Sequence, residues 1–280
     1  MGTLYLVATP IGNLEDISPR GLRILSEVRL IAAEDTRHTR QLLTHFEIHT
    51  PLTSYYEHNK LKKLDTVLAA LSLGDVALVS DAGTPAINDP GYELVLAALQ
   101  ANHCVSPIPG PSAPIAALSA SGLPSESFLY LGYLPRKTAE RKRLFEKIEN
   151  HPYTLIFLES PHRLTGSLRD MQVFLGDRQV AVARELTKIH EEILRGTISR
   201  VLAHFAALEP RGEFVLVVEG KRGEESPLRW QPDEMLSQIR RLQAQGRSSS
   251  DISAELAEKS GWTRREIYRL ILDGNQPGQS

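Results

Sequence analysis

The chain has 280 residues, 41% of them hydrophobic and 24% charged, the composition of a globular protein with room for two sizeable domains or more. A formal net charge of -2 excludes a protein that is basic throughout, so any nucleic-acid partner must be held by a local patch. Cys104 is the only cysteine, which excludes an internal disulfide and a cysteine-rich zinc site; with no apolar run near the length of a membrane span, a cytoplasmic protein without a metal site is expected.

Leu4 to Ala8 reads as a short buried strand that runs into the loop Thr9-Pro10-Ile11-Gly12-Asn13, and Ser18-Pro19 opens a helix that reaches about Glu27. Ile31 to Ala33 leads into Glu34-Asp35-Thr36-Arg37. A helix from about Asn59 to Ser72 precedes the apolar strand Val76 to Val79, which ends in a loop of Gly, Pro and carboxylates from Ser80 to Gly91. Cys104 to Ile108 enters the Gly/Pro loop 109–114, followed by a helix through Ile115 to Ala120. Three apolar strands thus end in three Gly/Pro loops. In open α/β sheets the crevice beyond the carboxyl ends of the strands is where ligands sit, so the loops are expected to converge on one site. The stretch Ser121 to Pro124 marks a domain boundary, giving a first α/β domain over 1–122.

The second domain is expected over 123–225 and is again α/β. Its strands are read at Phe128 to Leu131, Thr154 to Leu158, Gln179 to Ala183, Glu191 to Arg195 and Phe214 to Val218, with helices near 138–149, 162–175 and 198–208. A charged linker from Gly220 to Pro232 leads to three helices around 233–245, 248–258 and 263–272, a small helical module over 226–280 with a tail from Gly274. Ser248 to Ser250 and Thr263 supply helix caps there, and Gly261 a stop.

The loop chemistry narrows the ligand. A nucleotide-phosphate loop of Walker type and a Gly-x-Gly-x-x-Gly fingerprint are both missing, and the loop after Val79 carries Asp81 and Asp89 with no basic residue. Carboxylates repel phosphate and favour a cation, while Gly and Ser N–H groups suit a carboxylate, so the site fits a cationic ligand that bears an amino acid. For RNA, Arg136, Lys137, Arg141, Lys142 and Arg143 form the best basic patch, and Arg37 with Arg40 a second one. A solvated helix, with Glu140 and Glu146 offsetting part of the charge, is the plainer reading of the 136–143 run.

The segments Leu6 to Ile17, Ala33 to Arg37, Val79 to Gly91, Pro109 to Ala113, Glu159 to Arg163 and Arg184 to Lys188 together resemble the tetrapyrrole methylase superfamily, in its branch that modifies small-subunit ribosomal RNA. The resemblance covers nearly the whole chain. It implies an α/β fold of two domains with an S-adenosylmethionine trough between them, 2'-O-methylation of a cytidine ribose in the decoding region of 16S ribosomal RNA, and a homodimer. Asp81 takes the place of the Asp in the superfamily's Gly-Asp-Pro signature, which reads Ser80-Asp81-Ala82 here. By position the resemblance adds Pro10, Thr84, Ile87, Ser112 and Ala113 to the cofactor site, and Leu158 and Ala183 as walls from the second domain. Transfer to a ribose hydroxyl needs a group to take its proton, and Glu159, His162, Glu185 and Lys188 are the unranked candidates at second-domain strand ends. Two rivals use the same residues: methylation of a small tetrapyrrole, and a non-catalytic RNA-binding assembly factor.

Overall fold

The computed structural model describes residues 2–207, 210–221 and 230–274, so the linker expected over 220–232 and the tail expected from 274 fall mostly outside the described residues. The chain forms two compact units, Met1–Lys221 and Arg222–Ser280.

The first half of the larger unit runs β1 (Thr3–Val7), α1 (Pro19–Glu27), β2 (Leu30–Ala33), α2 (Thr36–His45), β3 (Leu52–Ser54), α3 (Lys60–Leu73), β4 (Val76–Val79), α4 (Tyr92–Gln100), β5 (Cys104–Ile108) and α5 (Ala113–Ser121). Its sheet has the order β3-β2-β4-β1-β5 with every pair parallel. All four residues of β4 are buried, as a continuous Val-Ala-Leu-Val run requires of a strand covered on both faces. Because β4, β1 and β5 are neighbours, their three loops emerge side by side. Thr9 and Gly83 exchange backbone hydrogen bonds, each N–H donating to the other's carbonyl at 2.9 Å, which ties the β1 loop to the β4 loop.

Local chemistry sets the helix starts. Ser18 Oγ accepts the Gly21 N–H at 3.0 Å with Pro19 just inside α1. Asp35 does the same for α2, accepting the Arg37 N–H at 2.8 Å.

The second half runs β6 (Phe128–Tyr133), α6 (Thr138–Ile148), β7 (Thr154–Glu159), α7 (Pro161–Leu175), β8 (Gln179–Arg184), β9 (Glu192–Thr197), α8 (Ile198–Ala207) and β10 (Phe214–Val218), in the sheet order β6-β7-β10-β8-β9. Only β6 and β7 pair in parallel; the remaining pairs are antiparallel. One core gathers Phe145, Phe157, Leu168, Val182, Phe205 and Phe214. Another sets Ala117 and Leu118 of α5 against Ile156, Ala181, Ala183, Val215 and Val217. The helix that closes the first half is therefore packed on the second sheet, and the strand ends of both sheets are held around a common space.

In the smaller unit α9 (Pro232–Ala244), α10 (Ser249–Ser260) and α11 (Arg264–Gly274) share a core of Met235, Ile239, Ile252, Leu256, Ile267 and Ile271. Ser248 caps α10 by accepting the Asp251 N–H, and Gly261 ends it at φ 67°. Thr263 and Glu266 cap α11 reciprocally, with 2.8 Å from the Thr263 N–H to Glu266 Oε2 and 3.3 Å from the Glu266 N–H to Thr263 Oγ1.

Candidate functional site

The loops after β4 and β5 face the second sheet across a cavity of about 260 Å³. Asp81, Thr84, Ile87, Ser112 and Ala113 line it from the first half, and Leu158 and Ala183 from the second, so these sequence expectations come together. Pro10 lies instead in an adjoining hollow of about 230 Å³, for which Asp81 is a shared wall. The surrounding backbone is held in costly conformations: Ala86 and Asn88 of the β4 loop have φ of 66° and 65°, and Glu185 and Thr187 beyond β8 have 49° and 66°. Gly132 of β6, at φ 64°, leaves room for the Asn88 side chain, which any Cβ there would strike.

Three carboxylates gather at the first-half wall. Asp81 Oδ1 accepts the Asp35 N–H at 3.0 Å, and Glu34 Oε2 accepts the Asp81 N–H at 3.4 Å. Burial pushes the Asp89 carboxyl up to about 6, and the Glu34 and Asp81 charges push the same way against a hydrogen bond from Ser80. Burial also raises Glu34, opposed by the Asp81 N–H and reinforced by the charges of Asp81 and Asp35. Among the described residues no Lys or Arg forms an ion pair with Glu34, Asp81 or Asp89, and the Arg37 guanidinium is spent on Asp35 at 2.7 Å. The three are not disposed to share a metal ion.

A cationic ligand with an apolar body fits this arrangement. It would relieve the unpaired negative charge, and Ile87, Leu158, Ala183 and Val215 would cover the body. The Ser112 side chain makes no capping bond, so the first-turn amides of α5, those of Ala113 and Ile115, lack a side-chain acceptor where the helix opens on the cavity. A carboxylate suits that end. Burial pushes Tyr130 up to about 12 and raises Tyr133, so both hydroxyls stay protonated as donors at neutral pH.

The proton-accepting candidates are placed very differently. Glu159 reaches the cavity wall but is wholly buried and accepts from the Ser160 N–H at 2.7 Å, Ser167 Oγ at 2.5 Å and Arg163 Nη2 at 2.6 Å. It braces the start of α7. His162 is exposed and lines a separate surface hollow with Arg136 and Arg163. Lys188 Nζ sits 3.0 Å from Glu185 Oε1 and 3.5 Å from Glu213 Oε2. Burial alone would raise Glu185, but Lys188 and the Glu213 N–H hold it below the usual carboxylate range. This ion cluster fastens the loop after β8 at the cavity edge, where Gly12 of the β1 loop packs directly on Leu186, Thr187 and Lys188.

The basic segment requires one correction. Arg141 is buried, with its Nε 2.7 Å from Asp170 Oδ2 and its Nη1 3.2 Å from the Pro135 carbonyl, so it joins α6 to α7 and is unavailable to phosphate. Lys137 and Lys142 are exposed but pair with Glu140 and Glu146. Arg136 and Arg143 are exposed and without a carboxylate partner among the described residues. Arg37 is exposed and held by Asp35.

Sequence reasoning missed Glu34, Glu213, Tyr130 and Tyr133 as site residues. Asp89 was visible as the second carboxylate of the β4 loop. The tyrosines sit in β6, in a Phe-Leu-Tyr-Leu-Gly-Tyr run that reads only as a strand, and its register irregularity between Tyr130 and Tyr133 is a matter of tertiary pairing.

Comparison with known proteins shows that residues 3–202 match the Tetrapyrrole (Corrin/Porphyrin) Methylases. Ribosomal RNA small subunit methyltransferase I of Synechocystis sp. is 48% identical over 275 residues, covering 98% of each chain. The protein of the same name from Escherichia coli O157:H7 is 48% identical over 276 residues, covering 97% of this chain and 95% of its own. Among solved structures, uroporphyrin-III-C-methyltransferase from Thermus thermophilus aligns with a TM-score of 0.54 at 21% identity, over 78% of this chain and 94% of its own, a likeness of fold.

Proposed function

The chain belongs to the tetrapyrrole (corrin/porphyrin) methylases and is a methyltransferase of small-subunit ribosomal RNA, and we propose that it uses S-adenosylmethionine to methylate the ribose 2'-oxygen of a cytidine in the decoding region of 16S ribosomal RNA. The observation that carries the donor is the group of carboxylates, Glu34, Asp81 and Asp89, with no Lys or Arg in ion-pair contact among the described residues, beside an apolar wall. When bound, S-adenosylmethionine supplies a methyl group made electrophilic by its sulfonium.

The chain's residues divide the remaining tasks. Asp81 and Glu34 hold the cationic amino-acid end, the α5 amides after Ser112 take its carboxylate, and Ile87, Leu158 and Ala183 enclose the adenosine. A 2'-hydroxyl is a weak nucleophile until its proton leaves, and Asp89 takes that proton. Its carboxyl titrates near 6, so it is mostly ionised at neutral pH and more basic than an ordinary aspartate. Glu159, Glu185 and Lys188 then act by position, the first by setting α7 and the other two by closing the loop onto Gly12. Arg136 and Arg143 meet phosphate. The same reading makes the protein a cytoplasmic homodimer with lobes over 1–122 and 123–225 and a helical module over 226–280.

Methyl-labelled S-adenosylmethionine, small ribosomal subunits and nucleoside digestion test this reading. Label in 2'-O-methylcytidine is expected; label confined to a base-methylated nucleoside would refute the acceptor atom.

A further inference from the structure

Two hollows meet at Asp81, and only the larger is occupied by the donor in the reading above. The smaller, about 230 Å³, lies between the β1 loop and α2, with Pro10, Leu14 and Leu42 as apolar walls and His38 and Gln41 on the α2 side. Its volume suits a single nucleoside and is far too small for a tetrapyrrole macrocycle. Gln41 also lines an open groove along α2 with Arg37, Arg40, Thr44 and His45, so the hollow leads directly onto a basic surface. Residues 37, 40, 41 and 44 share one helix face by their spacing.

We propose that this hollow and groove receive the target nucleotide: the base enters between Pro10 and Leu42 against Gln41, Arg40 takes the adjoining phosphate, and the ribose lies at the shared Asp81 wall with its 2'-hydroxyl turned into the larger cavity, towards the donor and Asp89. The proposal rests on the donor reading of the larger cavity and adds the direction from which the RNA arrives.

The side chains are suited to it. Gln41 and His38 are exposed and make no side-chain hydrogen bond among the described residues, and the Gln41 amide offers the donor and acceptor that a cytosine edge requires. Arg40 is exposed and has no carboxylate partner among the described residues, unlike Arg37 beside it. The hydrogen bond from the Asp35 N–H to Asp81 fixes α2 against the loop shared by both hollows. A base seated on α2 is thereby held in register with the methyl donor, as in-line transfer demands.

The test uses full-length Gln41→Ala and Arg40→Glu, small ribosomal subunits and labelled S-adenosylmethionine. Calorimetric affinity for S-adenosylmethionine and thermal stability should stay within about twofold and a few degrees of the wild type, while kcat/KM for the subunit falls roughly tenfold or more, the scale of one lost base or phosphate contact. Unchanged kcat/KM in both variants would overturn the placement and leave the donor reading standing. A parallel fall in donor affinity would also overturn it, by assigning the hollow to the cofactor. A wild-type chain that binds donor yet methylates no subunit would overturn the functional reading and this one with it.

Discussion

Asp81 Oδ1 accepts the backbone N–H of Asp35 at 3.0 Å, so one carboxylate both walls the donor cavity and anchors the start of α2. Removing it takes away a carboxylate of the cavity wall and the acceptor of the Asp35 N–H together. Asp81→Ala should weaken S-adenosylmethionine binding by roughly ten- to hundredfold, the scale of a lost charge-assisted hydrogen bond. Calorimetric titration checks this, and a folded variant with wild-type affinity would count against the site.

The Asp89 carboxyl gives the pH dependence. With its folded-state value raised to about 6 from 3.8, the proton-accepting form fills as pH rises, so kcat/KM should climb through about pH 6 and then level. Asp89→Asn should abolish that limb of the profile along with most of the rate. The folded state binds the proton more tightly than the unfolded chain, so this group's contribution to stability declines as pH rises from about 4 to 6. Asp89→Asn should therefore stabilise the protein at pH 7, on the order of 1 kcal/mol after allowance for solvent screening. Denaturant titration of both proteins at pH 5 and pH 7 measures it.

Gly12 is where the β1 loop meets the loop after β8. A Cβ there would stand 2.5 Å from Lys188 Cγ, 2.8 Å from Thr187 Oγ1 and 2.9 Å from the Leu186 carbonyl oxygen. Lys188 can shift but the carbonyl cannot without moving its loop. Gly12→Ala should cost about 1–3 kcal/mol of stability or an equivalent loss of transfer rate. Thermal melts and kcat together distinguish it from a silent change.

Within the basic run, burial separates two neighbouring roles. Arg141→Ala breaks a buried pair with Asp170 and should cost about 3 kcal/mol in denaturant unfolding. Arg143→Ala should leave stability within about 0.5 kcal/mol. It should reduce the salt dependence of subunit binding by roughly one phosphate contact.

Two strands were legible because burial on both faces writes itself into sequence: Val76 to Val79 and Phe214 to Val218 have the bounds read from their apolar runs. Cys104 to Ile108 also has the bounds read from the sequence, although it is an edge strand with Cys104 and Pro107 exposed, and it was the Gly/Pro loop after it that marked its end. Three first-half elements were not legible. α2 has only Leu42 and Leu43 as apolar anchors in a polar run, β3 is three residues long, and α4 follows a loop whose Gly and Pro residues dominate the local signal. The β4 loop announced a carboxylate site, and Asp81 is in it. What stayed hidden depends on contacts distant in sequence: Glu34 reaches Asp81 across the sheet, Arg141 is buried by Asp170 on another helix, and Glu159 is consumed by Ser160, Arg163 and Ser167. A basic helix reads alike whether its arginines face solvent or a neighbouring helix.

The most direct test of the central claim offers the purified protein labelled S-adenosylmethionine with small ribosomal subunits, free 16S RNA and a tetrapyrrole in parallel. Label in one cytidine ribose of the RNA, with none in the tetrapyrrole, is the expected result. Transfer to the tetrapyrrole alone, or no transfer to RNA in either form while donor binding is intact, would contradict it.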